Sequence, residues 1–336
     1  MHSEELHDIA KRLVAPHKGI LAADESFSNI QGKFEAVGIE GTENNRRKYR
    51  QLFFWTHGIE ENLSGVILHD ETIRQNDENG KPFVEILKDK GIIPGIKVDM
   101  GPVSLPLFPD EKITEGLDGL SKRLKEYYEM GARFAKWRAV ITIGKNIPSD
   151  ACIDANAYVL TQYASMCQEA GIVPIVEPEV LMDGEHTIEQ CEVATTRMLK
   201  RLFEELVKYH VDLKGVILKS NMAISGKKCP KQATAEEIAT ATLRMFNNAV
   251  PEEVAGIVFL SGGQTAKQAT ENLNAICKQT PQPWPITFSY ARALQAPALE
   301  IWRGDDSKLP EARNMFLKRL KLTAAARNGA YDPSME

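Results

Sequence analysis

The stretch VPIVEPEV, residues 173–180, combines an apolar strand with a pair of acids. Its first four residues are apolar, which is typical of a strand that is buried on both faces in a parallel sheet. Glu177 and Glu179 follow at positions i and i+2, and alternate residues of a strand point to the same side. Two carboxylates on one side repel each other unless cations compensate them. We therefore predict that cationic side chains converge on these glutamates.

Apolar segments of this kind recur along the chain and alternate with segments of helical periodicity. They are GILAADES (19–26), GVILHD (65–70), IPGIKVD (93–99), FAKWRAV (134–140), VPIVEPE (173–179), GVILKSN (215–221), GIVFLSGG (256–263) and ITFSYAR (286–292). Eight strands that alternate with helices predict an α/β protein, a (β/α)8 TIM barrel. No linker marks a boundary, so we expect one barrel domain over residues 1–336, with an N-terminal helix and a short C-terminal tail.

The composition limits the classes of function. The chain has 336 residues, of which 43% are hydrophobic and 26% charged, and its net charge is -5. This charge balance argues against a nucleic-acid partner, and no apolar run is long enough to span a membrane. The five cysteines are scattered without a CxxC pair, so neither a disulfide framework nor a thiolate zinc site is predicted. We expect a cytoplasmic protein with no membrane partner.

Each predicted strand is apolar at its start and polar near its end. The polar residues are Asp24, His69, Lys97, Lys136, Glu177, Lys219, Ser261 and Ser289. In a barrel of parallel strands the carboxyl ends form one face, and active sites lie there. The cations that the two glutamates require are therefore expected on neighbouring strands.

Three lysines are candidates for those cations: Lys97, Lys136 and Lys219. A nucleophilic lysine must lose its proton, which neighbouring cations and partial desolvation promote. Lys219 ends the most apolar of the three strands, so we assign it as the residue that forms a Schiff base and Lys136 as the neighbouring cation. Composition alone leaves this choice open.

The last two predicted strands indicate a phosphate site. LSGGQ, residues 260–264, is a glycine-rich turn that opens a helix, and N–H groups at a helix N-terminus bind anions. Barrels commonly hold a phosphate between the loops after strands seven and eight, and Ser289 and Arg292 end strand eight. A phosphorylated carbonyl substrate is therefore predicted.

Cleavage of a carbon–carbon bond beside a carbonyl needs an electron sink, which is either a protonated imine or a divalent metal. The histidines show no cluster with the spacing of metal ligands; they are His2, His7, His17, His57, His69, His186 and His210. Only His69 lies at a strand end, where a structural hydrogen bond is expected. The imine route is favoured, with no metal and no cofactor.

The chain resembles class I fructose-bisphosphate aldolase over nearly its whole length. The matching segments are LHDIAKRLVAPHKGILAADES, GIKVD, FAKWR, GIVPIVEPE, GVILK, FLSGGQ and FSYARALQ. The resemblance implies a lyase of glycolysis and gluconeogenesis that reversibly cleaves fructose 1,6-bisphosphate to dihydroxyacetone phosphate and glyceraldehyde 3-phosphate without a metal. It also implies sugar phosphates as partners and assembly as a homo-oligomer.

The resemblance implies roles for individual residues. Lys219 would form the imine, Glu177 would be the general acid/base, and Glu179 would position it. Asp24 and Lys136 would bind the reacting hydroxyls. Lys97 and Arg138 would contribute a positive electrostatic potential. The residues expected to hold the C1 phosphate are Ser261, Gly262, Gly263, Ser289 and Arg292. Lys33 is expected near the C6 phosphate, and Ser26 is a further residue expected to bind substrate.

The chain departs from the family pattern at several positions. Ser220 replaces a proline after the imine lysine, which could loosen that loop, and Ala291 replaces a glycine, which would compromise a backbone angle that only glycine favours. Near the C6 phosphate, Phe27 and Asn29 stand where small residues are usual, and Lys33 stands where arginine is usual. The chain also ends at AYDPSME, without the longer tail and terminal tyrosine of many members.

Two other interpretations compete with this one. Another imine-forming barrel, such as a transaldolase or a deoxysugar-phosphate aldolase, would lack the SGGQ and YAR segments in these positions. A barrel that mainly binds partners, such as cytoskeletal filaments, would have a degraded catalytic set. This chain retains every expected catalytic residue, so any such role would be additional.

Overall fold

The computed structural model describes residues 3–279 and 281–336, and eight parallel strands close into a barrel. His2, one of the histidines considered above, lies outside the described residues. The strands within these residues are β1 (Gly19–Ala23), β2 (Leu63–Leu68), β3 (Ile93–Lys97), β4 (Gly101–Ser104), β5 (Lys112–Glu115), β6 (Phe134–Ile141), β7 (Val173–Val180), β8 (Ile217–Ser220), β9 (Gly256–Phe259) and β10 (Ile286–Tyr290). The barrel order is β1-β10-β9-β8-β7-β6-β3-β2, so the predicted (β/α)8 barrel is confirmed.

Helices fill the intervals between the strands. They are α1 (Ser3–Leu13), α2 (Phe27–Ala36), α3 (Glu43–Phe54), α4 (Asp70–Ile73), α5 (Phe83–Asp89), α6 (Leu120–Glu129), α7 (Asp150–Glu169), α8 (Ile188–Lys208), α9 (Ala235–Ala249), α10 (Ala266–Lys278), α11 (Arg292–Trp302) and α12 (Leu309–Arg327). Three of them, α8, α9 and α10, begin at a threonine with a reciprocal glutamine or glutamate three residues later. This capping box satisfies orphan N–H groups and fixes where each helix starts.

The interior of the barrel is apolar at the end opposite the polar strand ends. Phe134 fills it, and a Cβ at Gly65 or Gly95 would press against the Phe134 ring. Helix α1 lies across this end and contributes Leu6 and Leu13 to the same buried cluster. The charged cluster predicted from the sequence is therefore expected at the carboxyl ends of the strands, which is where barrel active sites lie.

A hairpin after β3 is an element that the periodicity did not predict. Strands β4 and β5 pair antiparallel as a hairpin between β3 and α6. Val103 and Leu107 of this hairpin are exposed, and Ile113 is partly buried against the core. The segment lacks a long apolar run, so its strands could not be recognised by the pattern that identified the barrel strands.

All five cysteines are free thiols, in keeping with the absence of a predicted disulfide framework. Within residues 3–279 and 281–336, none of the helices combines the length and the apolar character that a bilayer crossing requires.

Candidate active site

Four charged side chains meet at the carboxyl end of the barrel. Lys219 Nζ lies 3.1 Å from Glu177 Oε1, and Glu177 Oε2 lies 3.5 Å from Lys136 Nζ. Lys136 Nζ is also 2.8 Å from Asp24 Oδ2. All four residues are buried. Buried charges are tolerated when they are paired, and here cations and carboxylates alternate along the cluster.

The strand register explains why these side chains meet. Lys136 on β6 is paired with Ile175 on β7, and Ile175 is paired with Ile217 on β8. Glu177 and Lys219 come two residues after Ile175 and Ile217, so they point the same way, one level closer to the carboxyl end. The alternation that was read from VPIVEPEV thus brings Glu177 to the two lysines.

The charge states of Asp24 and Lys136 follow from their surroundings. Burial raises the pKa of Asp24, but the attraction of Lys136, with smaller contributions from Lys219 and Lys97, outweighs it and holds the pKa well below its usual value. Burial lowers the pKa of Lys136, but Asp24, Glu177 and Asp99 outweigh it and hold the pKa well above its usual value. Lys136 is therefore an ammonium ion at neutral pH and is unsuited to attack a carbonyl.

Asp99 belongs to this cluster, although it was not among the predicted site residues. It accepts a hydrogen bond from Lys97 Nζ at 2.6 Å and from the backbone N–H of Arg138 at 3.3 Å. Its Oδ2 lies 3.8 Å from Lys136 Nζ. Its position two residues after Lys97 at a strand end was a signal that could have identified it.

Glu179 and Arg138 form a separate pair one step nearer to solvent. The guanidinium Nε of Arg138 donates to Glu179 Oε2, and the Arg138 side chain is about one-third exposed. Both residues lie on the face that was predicted, but Glu179 contacts Arg138 and is not among the carboxylates paired with Lys219. Glu177, which is bound to Lys219, is the better placed of the two acids for chemistry at the lysine.

The predicted phosphate-binding groups lie at or just after the ends of β9 and β10, which are paired in the barrel. Ser289 is buried, and its Oγ has no hydrogen-bond partner in the described residues. Gly262 and Gly263 have φ values of 54° and 89°. Their N–H groups donate to no acceptor in residues 3–279 and 281–336. Unused donors at neighbouring strand ends are what an anion site requires, so these groups are candidates for the predicted phosphate site.

Ala291 has φ of -102° and ψ of -86°, so its φ lies outside the left-handed region that favours glycine. Its carbonyl accepts the N–H groups of Leu294 and Gln295 at the start of α11. That the replacement of glycine compromises a backbone angle stays a prediction. Ser220 is fully buried at the end of β8, and its carbonyl accepts the N–H of Leu260.

The segment expected near the C6 phosphate forms helix α2, which begins at Phe27 after Ser26. Ser26 lines a cavity of about 440 Å³ together with Lys97 and His69. His69 Nδ1 accepts the N–H of Glu71 at 3.3 Å, which is the structural role expected for it. The exposed Phe27 ring packs edge-on against His69.

Lys33 is bound to a buried acid. Its ammonium donates to Glu25, and Arg50 Nη1 lies 2.6 Å from the other oxygen of the same carboxylate. Arg46 is also engaged, because its guanidinium donates to both oxygens of Glu71. It is therefore not a free replacement for a phosphate-binding arginine. Nothing in the sequence of α3 singles out Arg50, which is almost fully buried.

The Glu25 carboxylate should make stability depend on pH. Burial raises its pKa, but Arg50 and then Lys33 outweigh burial and lower the pKa to about 2. A depressed folded-state pKa stabilises the fold above the unfolded-state value of about 4.5, and this contribution is lost as the pH falls from about 4.5 towards 2. We expect Glu25→Gln to cost about 3 kcal/mol at pH 7 and less at pH 3.5, measured by urea unfolding.

Glu35→Gln provides the control for this prediction. It removes the same charge from an exposed position of α2, where surface substitutions change stability by about 0.5 kcal/mol or less. An equal loss of stability in both variants, or a loss in Glu25→Gln that stays constant with pH, would show that the buried pair contributes nothing specific.

Comparisons with known proteins agree over nearly the whole chain. A family model described as fructose-bisphosphate aldolase class-I matches residues 5–336. A probable fructose-bisphosphate aldolase class 1 of Xanthomonas campestris is 51% identical, with 98% of this chain and 99% of that protein covered. Human fructose-bisphosphate aldolase C is 48% identical, with 99% and 92% covered. The structure of Plasmodium falciparum fructose-bisphosphate aldolase in complex with TRAP and a small molecule inhibitor has a TM-score of 0.97 at 46% identity, with 98% and 96% covered.

Proposed function

The chain belongs to the class I fructose-bisphosphate aldolases, lyases that reversibly cleave fructose 1,6-bisphosphate through a lysine imine without a metal ion, and we propose that Lys219 forms this imine. The observation that carries the assignment is the difference between the two buried lysines. Lys136 is held as an ammonium ion by three carboxylates, those of Asp24, Glu177 and Asp99. Among the described residues, Lys219 forms an ion pair with one carboxylate, that of Glu177.

We propose that Glu177 moves the protons. The Lys219 amine would attack the C2 carbonyl, and Glu177 would protonate the hydroxyl of the carbinolamine so that it leaves as water. Glu177 Oε1 is within hydrogen-bond distance of the lysine nitrogen, and Oε2 accepts no hydrogen bond in the described residues. The ionised carboxylate would then take the proton of the C4 hydroxyl. The C3–C4 bond breaks, glyceraldehyde 3-phosphate leaves, and the electron pair is held as the enamine.

Asp24, Lys136, Lys97 and Arg138 are proposed to bind the open sugar chain. Lys136 remains a cation throughout the reaction because three carboxylates surround it, so it can donate hydrogen bonds to the reacting hydroxyls. Asp24 remains an anion and can accept one.

The C1 phosphate is proposed to bind at Ser261, Gly262, Gly263, Ser289 and Arg292. Ser289 Oγ and the glycine N–H groups are donors without an internal acceptor among the described residues. The exposed Arg292 likewise makes no ion pair there. Unpaired donors and a free guanidinium are what a dianionic phosphate requires.

The experiment that tests the proposal is intact-mass analysis after borohydride reduction in the presence of dihydroxyacetone phosphate. One adduct per chain that maps to Lys219, with cleavage of fructose 1,6-bisphosphate unaffected by EDTA, is the expected result. An adduct at Lys136 or Lys97 would move the imine to that residue.

Lys33 is proposed to weaken recognition of the C6 phosphate. A lysine ammonium binds a phosphate as a single hydrated point charge, whereas the planar guanidinium of arginine can donate two parallel hydrogen bonds. In addition, the ammonium of Lys33 is already bound to Glu25. The loss of one charge-assisted hydrogen bond lowers the affinity for the C6-phosphate end of the substrate by roughly 10- to 150-fold. We expect a smaller preference for fructose 1,6-bisphosphate over fructose 1-phosphate than in a relative that carries arginine.

The variant Lys33→Arg should partly restore this preference, because an arginine can bind Glu25 with one nitrogen and a phosphate with another. The ratio of kcat/KM for the two substrates, measured in wild type and variant, checks the prediction. An unchanged ratio would show that residue 33 does not touch the phosphate.

A homo-oligomer in the cytoplasm, acting on small-molecule sugar phosphates without nucleic-acid or membrane partners, remains our prediction for the assembly and location. It is supported by membership of the family and by the net charge of -5. Light scattering of the purified protein at several concentrations tests the oligomeric part.

A further inference from the structure

Two side chains from neighbouring loops cover the turn that contains Gly262 and Gly263. A Cβ at Gly263 would lie 2.6 Å from Met182 Sδ and 3.2 Å from Lys227 Nζ. Gly263 has φ of 89°, so both its backbone conformation and the surrounding space require glycine. The Lys227 ammonium thus lies directly against the backbone of the turn.

The backbone around Lys227 is fixed by hydrogen bonds between two loops. The N–H of Lys227 donates to Met182 O at 2.8 Å, and the N–H of Lys228 donates to Gly184 O at 2.9 Å. These bonds tie the loop after β8 to the loop after β7. The direction in which the Lys227 side chain leaves the backbone is therefore set by the fold.

The ammonium group of Lys227 is held loosely by comparison. It lies 2.9 Å from Asp183 Oδ1, and the two side chains are 46% and 69% exposed. Ion pairs at such exposure are weak and screened by salt. A stronger anion next to the turn can therefore draw the ammonium away from Asp183 at little cost.

Such an anion is expected at this turn. A phosphate oxygen that accepts the N–H of Gly263 would lie about 2.9 Å from that nitrogen. The nitrogen is one bond from the Gly263 Cα, and Lys227 lies beside the position that a Cβ on this Cα would take. The flexible stem of a lysine lets its ammonium cross a short gap. Arg292, the proposed cation of this site, is the first residue of α11, which follows β10.

We propose that Lys227 is a further phosphate-binding residue, which exchanges Asp183 for the C1 phosphate when substrate binds. This inference rests on the proposed function, because it takes the turn as the C1-phosphate site. Lys227 would contribute to the affinity for phosphorylated ketoses, with no part in imine chemistry. Asp183 would hold the ammonium beside the turn in the free enzyme and compete with the phosphate for it.

The test compares Lys227→Met with Lys228→Met in the full-length enzyme. Both variants remove one positive charge from exposed positions of the same loop, but Lys228 makes no side-chain ion pair within the described ranges. We expect Lys227→Met to raise the KM for fructose 1,6-bisphosphate and the inhibition constant of inorganic phosphate about 5-fold, with a smaller change in kcat. Lys228→Met should leave the KM, the inhibition constant of phosphate and kcat unchanged.

A third variant, Asp183→Asn, should change the KM in the direction opposite to that of Lys227→Met. Asp183→Asn removes the competing anion, so the KM and the inhibition constant of phosphate should fall about 2-fold. Equal KM values in Lys227→Met and Lys228→Met, whether raised or unchanged, would overturn the inference while the enzyme still turns over. Failure of the wild type to cleave fructose 1,6-bisphosphate, or to form an adduct at Lys219, would instead overturn the proposed function.

Discussion

Lys219→Met should lower the turnover of fructose 1,6-bisphosphate by about 10⁴-fold or more, because it removes the proposed nucleophile on which covalent catalysis would depend. Methionine is close to lysine in length and leaves Glu177 paired with Lys136, so the barrel should fold. The measurements are kcat from a coupled cleavage assay and the mass after borohydride reduction with dihydroxyacetone phosphate. The variant should show no adduct.

Lys228→Met serves as the control, since it replaces an exposed lysine in the loop that follows the same strand. It should keep wild-type turnover and form the adduct. Substantial turnover in Lys219→Met, together with an adduct on another lysine, would show that the imine forms elsewhere in the cluster.

Glu177→Gln should lower kcat by about 10²-fold or more, with a smaller effect on substrate binding. Glutamine keeps the shape and can still donate or accept a hydrogen bond, but it cannot take the C4 proton or return one to the carbinolamine. Single-turnover cleavage of fructose 1,6-bisphosphate, followed at saturating enzyme, separates the chemical step from binding.

Glu179→Gln is the matched control for this prediction. Glu179 lies on the same strand, but its carboxylate binds the partly exposed Arg138. Its replacement should therefore reduce kcat much less than that of Glu177. Equal effects of the two replacements would show that the acids act together, and near-normal turnover of Glu177→Gln would assign proton transfer to Glu179 or Asp24.

Much of the candidate site was predictable because it depends on short-range geometry. Alternation along VPIVEPEV places Glu177 and Glu179 on one face, and the polar endings of the other strands place Lys136 and Lys219 at the same edge of a parallel barrel. The observed contacts of Glu177 with both lysines follow from these two rules. The family assignment rests on ordered motifs, which are also local in sequence.

The sequence could not determine which partner each charged group takes. Lys33 and Arg50 are 17 positions apart on different helices, and only the packing of α2 and α3 beside β1 brings both to Glu25. The sequence by itself determined the barrel and placed the acids and lysines of the candidate site at its polar face, because periodicity acts between neighbouring residues. The tertiary structure decided that Lys136 is held as a cation, that Lys33 and Arg50 share Glu25 and that Lys227 lies against the turn of Gly262 and Gly263. These depend on distances between loops that are far apart in the chain, and on backbone angles and burial that arise only when the barrel closes.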